Sequence, residues 1–174
     1  MRWVKLQAAV QTFRDTVVQE SKANLKNLKK SATGELYNSI QGIINESGDE
    51  MEVIFEMLDY GKFQDQGVDG KRVKHGSPFS YKQKAPPPSA LDKWIVIRGL
   101  APRDKKGRFM TRKQQQFALS RFIFNNGIKR SLFFTAPFEK AQKEAGKLFA
   151  IALTKDVSVY MEDVVRKSNR KRKK

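Results

Sequence analysis

The fold class turns on three consecutive segments, Gly42-Ile43-Ile44-Asn45-Glu46, Ser47-Gly48-Asp49-Glu50 and Met51-Glu52-Val53-Ile54-Phe55-Glu56-Met57. Met51, Val53, Phe55 and Met57 alternate with more polar positions, the period-two pattern of a strand with one packed and one wet face. The Gly-containing turn before them predicts an antiparallel hairpin. Helical spacing surrounds this stretch on both sides. The chain therefore reads as α+β: a long N-terminal helix, a small antiparallel sheet with a hairpin, and C-terminal helices packed on it.

Towards the N-terminus, Trp3, Leu6, Val10, Phe13 and Val17 recur at spacings of three and four, and Leu25 and Leu28 resume the stripe. That pattern predicts a long amphipathic helix ending near residue 31. Lys22, Lys26, Lys29 and Lys30 suit its C-terminal end electrostatically, and Gly34 is a natural stop. Leu36 and Ile40, four apart, predict one short helical turn before Gly42.

Towards the C-terminus, residues 59–88 are dense in Gly, Pro, Lys and aromatics and read as a long exposed loop, a length that is usually functional or disordered. Ser89 is the expected N-cap of a helix carrying Leu91, Trp94, Ile95 and Ile97. A second loop, at about 99–111, contains Arg103-Asp104-Lys105-Lys106-Gly107-Arg108. A helix from about Thr111 to Asn125 follows, lined by Phe117, Leu119, Phe122, Ile123 and Phe124. Thr135 and Pro137 open the last helix, on which Phe138, Ala141, Ala145, Leu148, Phe149 and Ala152 recur at helical spacing. That helix is expected to reach Val165, with a break around Asp156.

The whole, 174 residues, suits a single domain over 1–165. With 39% hydrophobic residues, twelve Phe among them, it can build a packed core. It has no cysteine, which excludes disulfides, thiolate nucleophiles and Cys-based zinc sites. Neither a leader-like apolar run at the start nor a membrane-length apolar stretch is visible, so a soluble chain is expected. Thirty-five Lys and Arg against eighteen Asp and Glu give a formal charge of +17, a balance that points to an anionic partner. Residues 166–174 hold seven of these cations and no acid, so without them the charge falls to +10. They read as a basic disordered tail.

Chemistry-bearing patterns are scarce. His75 is the only histidine and sits among Lys71, Arg72 and Lys74, so neither a catalytic triad nor a multi-histidine metal site can be assembled; it reads as an exposed bystander. Asp65, Asp69 and Gly70 echo a calcium loop, but Gly67 and Gly76 stand where ligands belong. The acid pairs Asp49/Glu50 and Glu162/Asp163 read as solvated charges, and no phosphate-cradling glycine motif occurs. The expectation is no catalysis, no cofactor and no metal.

The segments Thr33-Gly34-Glu35-Leu36-Tyr37-Asn38-Ser39-Ile40, the hairpin, the aromatic-Gly loop with Tyr60, Phe63 and Gly67, and Gly127-Ile128-Lys129-Arg130-Ser131-Leu132-Phe133-Phe134-Thr135-Ala136-Pro137 occur in that order. Together they resemble the tail-completion (head-to-tail joining, neck or tail-terminator) proteins of tailed bacteriophages, over about residues 1–160. This chain departs from the family pattern at Asp65-Gln66, at Arg130-Ser131, in a Lys-rich insertion between Gly70 and Phe117, and in its basic tail.

The resemblance implies a structural virion protein, assembled in the host cytoplasm. Such a protein forms a ring, commonly sixfold, at the junction of capsid connector and tail. Its implied partners are further copies of itself, connector or portal-associated and tail-tube proteins, and packaged DNA through nonspecific phosphate contacts, with no membrane. Tyr60, Phe63, Asp65, Gly67, Phe133, Phe134 and Pro137 are then expected at subunit or partner interfaces. Lys105, Lys106, Arg108, Arg170, Lys171, Arg172, Lys173 and Lys174 are expected to face DNA phosphates. The charge alone supports a different reading, a basic nucleic-acid-binding accessory protein; a small nuclease or transferase is least favoured, for want of an acid cluster.

Overall fold

The computed structural model describes residues 3–28, 33–48 and 50–171; Lys29, Lys30, Asp49, Arg172, Lys173 and Lys174 lie outside them. The chain runs α1 (Val4–Asn27), α2 (Glu35–Ser39), β1 (Gln41–Ser47), β2 (Glu50–Glu56), α3 (Gly61–Gln66) and β3 (Val68–Asp69). A 3-10 turn (Pro88–Leu91), α4 (Asp92–Ile97), α5 (Arg112–Asn126), β4 (Gly127–Ile128) and α6 (Thr135–Lys171) complete it. The α+β class expected from the hairpin pattern is the class of this structure.

β1 and β2 pair antiparallel, with Ile44 opposite Val53 and Gly42 opposite Phe55. A methyl group on Gly42 would stand 2.4 Å from Cγ of Arg14, so the bare glycine is what lets α1 lie directly against the hairpin.

The core lies between α1, α2, β2 and α6. Leu25, Leu36, Ile40 and Phe133 are fully enclosed, with Val18, Met57 and Phe134 packed around them. Phe13 of α1 meets Phe55, Phe138 and Phe149 edge to face at ring separations near 6 Å, the geometry favoured by aromatic quadrupoles. α1 and α6 run antiparallel. Asn24 reaches the carbonyl of Phe133, Glu20 pairs with Lys140, Phe13 meets Phe149, and the N-terminus of α1 meets Asp156.

Asp156 corrects the expected break in the last helix. Its carboxylate is turned inward and accepts the amides of Lys5, at 2.9 Å, and Leu6, at 2.9 Å. Those two donors at the start of α1 have no intrahelical partner, and Trp3 supplies no side-chain cap. An acid that looks like a helix interruption in sequence is thus the N-cap of a different helix, and α6 passes through it unbroken. The tail expectation is corrected as well, because α6 carries residues 166–171 as helix where disorder is expected from 166. Fifteen residues of α6 follow Asp156, roughly 22 Å of helix at 1.5 Å per residue, and the first turns of that stretch still share a groove with Val4 and Lys5 of α1.

Residues 59–88 are not simply an exposed loop. They contain α3 and β3, and β3 pairs antiparallel with the distant β4. Ser89 caps no helix; it lies inside the 3-10 turn that leads into α4. Thr111 does cap α5, in a reciprocal capping box with Gln114. Among the described residues, no helix is long and apolar enough to cross a membrane.

Candidate functional site

The aromatic-Gly loop and the segment before α6, far apart in sequence, meet through one carboxylate. Asp65, only 3% exposed, accepts the amides of Phe134 at 2.8 Å and Thr135 at 3.2 Å, together with the Thr135 hydroxyl. It serves as the N-cap of a 37-residue helix, supplied from elsewhere in the chain. The Asp65 carbonyl accepts the amides of Ser131 and Leu132, both at 2.9 Å. These bonds hold Leu132 at φ 51°, a left-handed conformation that non-glycine residues seldom adopt.

This geometry corrects the expected interface set. Asp65, Gly67, Phe133 and Pro137 are buried within the chain, and Phe134 is half-buried in the aromatic cluster, so they join parts of one subunit. Tyr60 and Phe63 are the two of the set that stay exposed, although Phe63 stacks edge-on against Phe79 at 4.8 Å.

Asp69 organises the next segment. Its carboxylate accepts the amides of His75 at 2.6 Å and Ser77 at 3.2 Å, and these bonds hold its carboxyl below the ordinary range, that from His75 contributing most. His75 is no exposed bystander: it is half-buried, and its Nε2 stands 2.7 Å from the carbonyl of Asn126. The end of α5 is drawn in further, as the amides of Lys71, Arg72 and Val73 bond the carbonyls of Phe124 and Asn125. Gly127, at φ 73°, is required here, since a Cβ would meet the Val68 carbonyl at 2.2 Å. Among the described residues, no group of three or more His, Cys, Asp or Glu could hold a metal ion.

The basic loop is a preformed hairpin. Arg103 and Phe109 bridge antiparallel, and the Met110 amide bonds the Pro102 carbonyl. Asp104 closes the tip by accepting the amides of Lys106 at 2.8 Å and Arg108 at 2.9 Å and the Nε of Arg108 at 3.1 Å. These bonds, led by the Arg108 amide, hold the Asp104 carboxyl below its usual range. Arg103 lies over the Phe109 ring, 4.0 Å from its centroid, and donates to the Gly107 carbonyl. The side chains of Lys105 and Lys106 remain exposed, with no anionic partner among the described residues.

At the base of the hairpin, Arg112 and Gln116 both donate to Asp92, which ties α4 to α5. The Ser120 hydroxyl donates to the Pro86 carbonyl at 2.6 Å, which seats the Pro-rich segment on α5.

Large apolar side chains face solvent on several elements, among them Val96 and Ile97 of α4, Phe109 of the hairpin and Ile151 of α6. Phe117 and Phe122, expected to line a buried face of α5, are 63% and 61% exposed. Beyond Asp156, α6 shows Val157, Val159, Tyr160, Met161, Val164 and Val165, with Val159 at 62%. Of these, Val159 and Tyr160 line a groove with Val4 and Lys5 of α1, whereas Met161 and Val165 border a separate depression with Asn169 and Arg170. Exposed apolar patches are, as a general rule, enriched at interaction surfaces. Sequence reasoning missed them because helical periodicity reports that a face is apolar, not what covers it. Comparison with protein-family models, with curated proteins and with solved structures finds no match to this chain.

Proposed function

We propose that this chain is a structural, ring-forming component of the head-to-tail junction of a tailed bacteriophage, a tail-completion or neck protein located in the virion. The observation that carries this reading is exposed apolar surface on more than one element, on α5 and on α6 beyond Asp156 among others, in a chain whose ordered motifs resemble that family. They lie on different elements, and a closed ring uses two different patches that meet head to tail. The basic excess suits a subunit whose lumen holds DNA.

The test is mass photometry and negative-stain imaging of the purified chain, alone and mixed with its connector partner. Rings or a defined complex are expected, and Val159→Asp combined with Met161→Asp should abolish them while the chain stays helical. Neither ring nor complex in the wild-type sample refutes the proposal.

A second reading, a nucleic-acid-binding accessory protein, is favoured by Lys105 and Lys106, which have no anionic partner among the described residues. It requires submicromolar affinity for random duplex at physiological salt, falling steeply as salt is added. A chain lacking 166–174 that keeps its biological role while losing all duplex affinity counts against it.

A further inference from the structure

Outside residues 166–174, the charge of this protein resides in one module. Between Asp92 and Phe138 there are eleven Lys and Arg and two acids, Asp92 and Asp104. That net of +9 is nearly the whole +10 of residues 1–165, so the remainder of the body is close to neutral. The module comprises α4, the 102–110 hairpin, α5 and β4, and the hairpin is its exposed tip.

The cations in this module are not equivalent. Arg112 is spent on Asp92, Arg108 on Asp104, and Arg103 on Phe109 and the Gly107 carbonyl. Asp104, the acid of the hairpin, is occupied by two backbone amides and the Arg108 guanidinium, so its charge is drawn into the turn. Lys105 and Lys106 are left side by side at the apex, on a backbone held by the Arg103–Phe109 bridge. Ammonium groups are strongly hydrated point charges that suit phosphates without demanding a fixed fork geometry.

We infer that the 102–110 hairpin is a preformed finger that contacts the phosphate backbone of duplex DNA through Lys105 and Lys106, with Asp104 as the positioning residue that shapes its tip. The role expected of Arg108 narrows accordingly: it braces the turn. The inference rests on the assembly reading only for the source of the DNA.

The experiment is fluorescence anisotropy of a random-sequence duplex titrated with the full chain over a salt series, with mass photometry of the same samples. Each phosphate contact contributes about 0.9 to the slope of log affinity against log salt, so K105A/K106A should lower that slope by about 1.8. The charge-matched control K143A/K147A, on the exposed side of α6, should leave it unchanged.

D104A separates shape from charge. It raises the net charge, so a purely electrostatic surface would bind more tightly, whereas a positioned finger binds several-fold more weakly. The difference between wild type and K105A/K106A should persist in a chain ending at Val165. Equal losses from the two lysine pairs, tighter binding by D104A, or loss of all binding with the tail would each overturn the finger. Because oligomer mass is read separately, a ring with no hairpin-dependent binding sinks this inference alone; absence of any ring sinks the assembly reading.

Discussion

Replacing Asp65 with Ala should destabilise the protein more than most single substitutions. The carboxylate accepts two amides and a hydroxyl at the start of α6, in a site that is 3% exposed. Hydrogen bonds to a charged group contribute roughly 1.5–3 kcal/mol each. They do not simply add, because removing the carboxylate also relieves the penalty of burying it. Loss of a helix N-cap alone costs about 1–2 kcal/mol, and stranding buried donors adds about as much again. The expected net loss is about 3 kcal/mol. For a chain of this length that corresponds to a fall in Tm of roughly 6–12 °C.

Urea denaturation followed by circular dichroism measures it, and Asp65→Asn, which keeps an acceptor without the charge, should fall between wild type and Ala. A loss under about 1 kcal/mol for the Ala variant would refute the reasoning. It would mean that the start of α6 is held by packing of Phe133 rather than by the carboxylate.

Gly127→Ala forces a Cβ against the Val68 carbonyl at an unfavourable φ and should cost more than about 2 kcal/mol in the same assay, with the β3–β4 pairing weakened in hydrogen exchange. Ser21→Ala should stabilise the protein by about 0.5–1 kcal/mol in thermal melts, since its fully buried hydroxyl has no partner among the described residues and Ala is the better helix former. The Asp92 carboxyl is held below its ordinary value chiefly by its hydrogen bond from Arg112. A depressed folded pKa stabilises above the unfolded value, near 4, and that stability is lost as pH falls through the folded value. Asp92→Asn should therefore lower Tm at pH 7 and converge on wild type by about pH 2–3, and an equal deficit at both ends of the titration would contradict the ion pair.

Much of the scaffold was legible in the chain itself because it depends on neighbours within one or two turns. The stripe of Val10, Val17 and Leu25 specifies α1, the alternation of Met51, Val53 and Phe55 specifies β2, and Thr111 with Gln114 caps α5. The absence of cysteine and the size of the positive charge also follow from composition alone.

Tertiary structure decided the rest, where the deciding partner is remote. Asp65 bonds residues about seventy positions away and Asp156 residues about a hundred and fifty away, so neither could be read as a cap from its own surroundings. The same holds for 59–88, whose Gly and Pro content spells a loop locally but which folds as α3 and β3 against the end of α5. Whether an apolar face is buried is likewise not a local property: Phe133 is enclosed and Phe117 is bare, although both belong to apolar runs. Local conformation is set by short-range sterics and hydrogen bonding, whereas burial and capping across the chain depend on which surfaces meet after collapse. The sequence therefore determined what the elements are and how much charge they carry. The tertiary structure decided that this charge has its exposed apex at Lys105 and Lys106, and that five of the seven residues expected at an interface, Asp65, Gly67, Phe133, Phe134 and Pro137, pack inside one subunit while Tyr60 and Phe63 stay exposed.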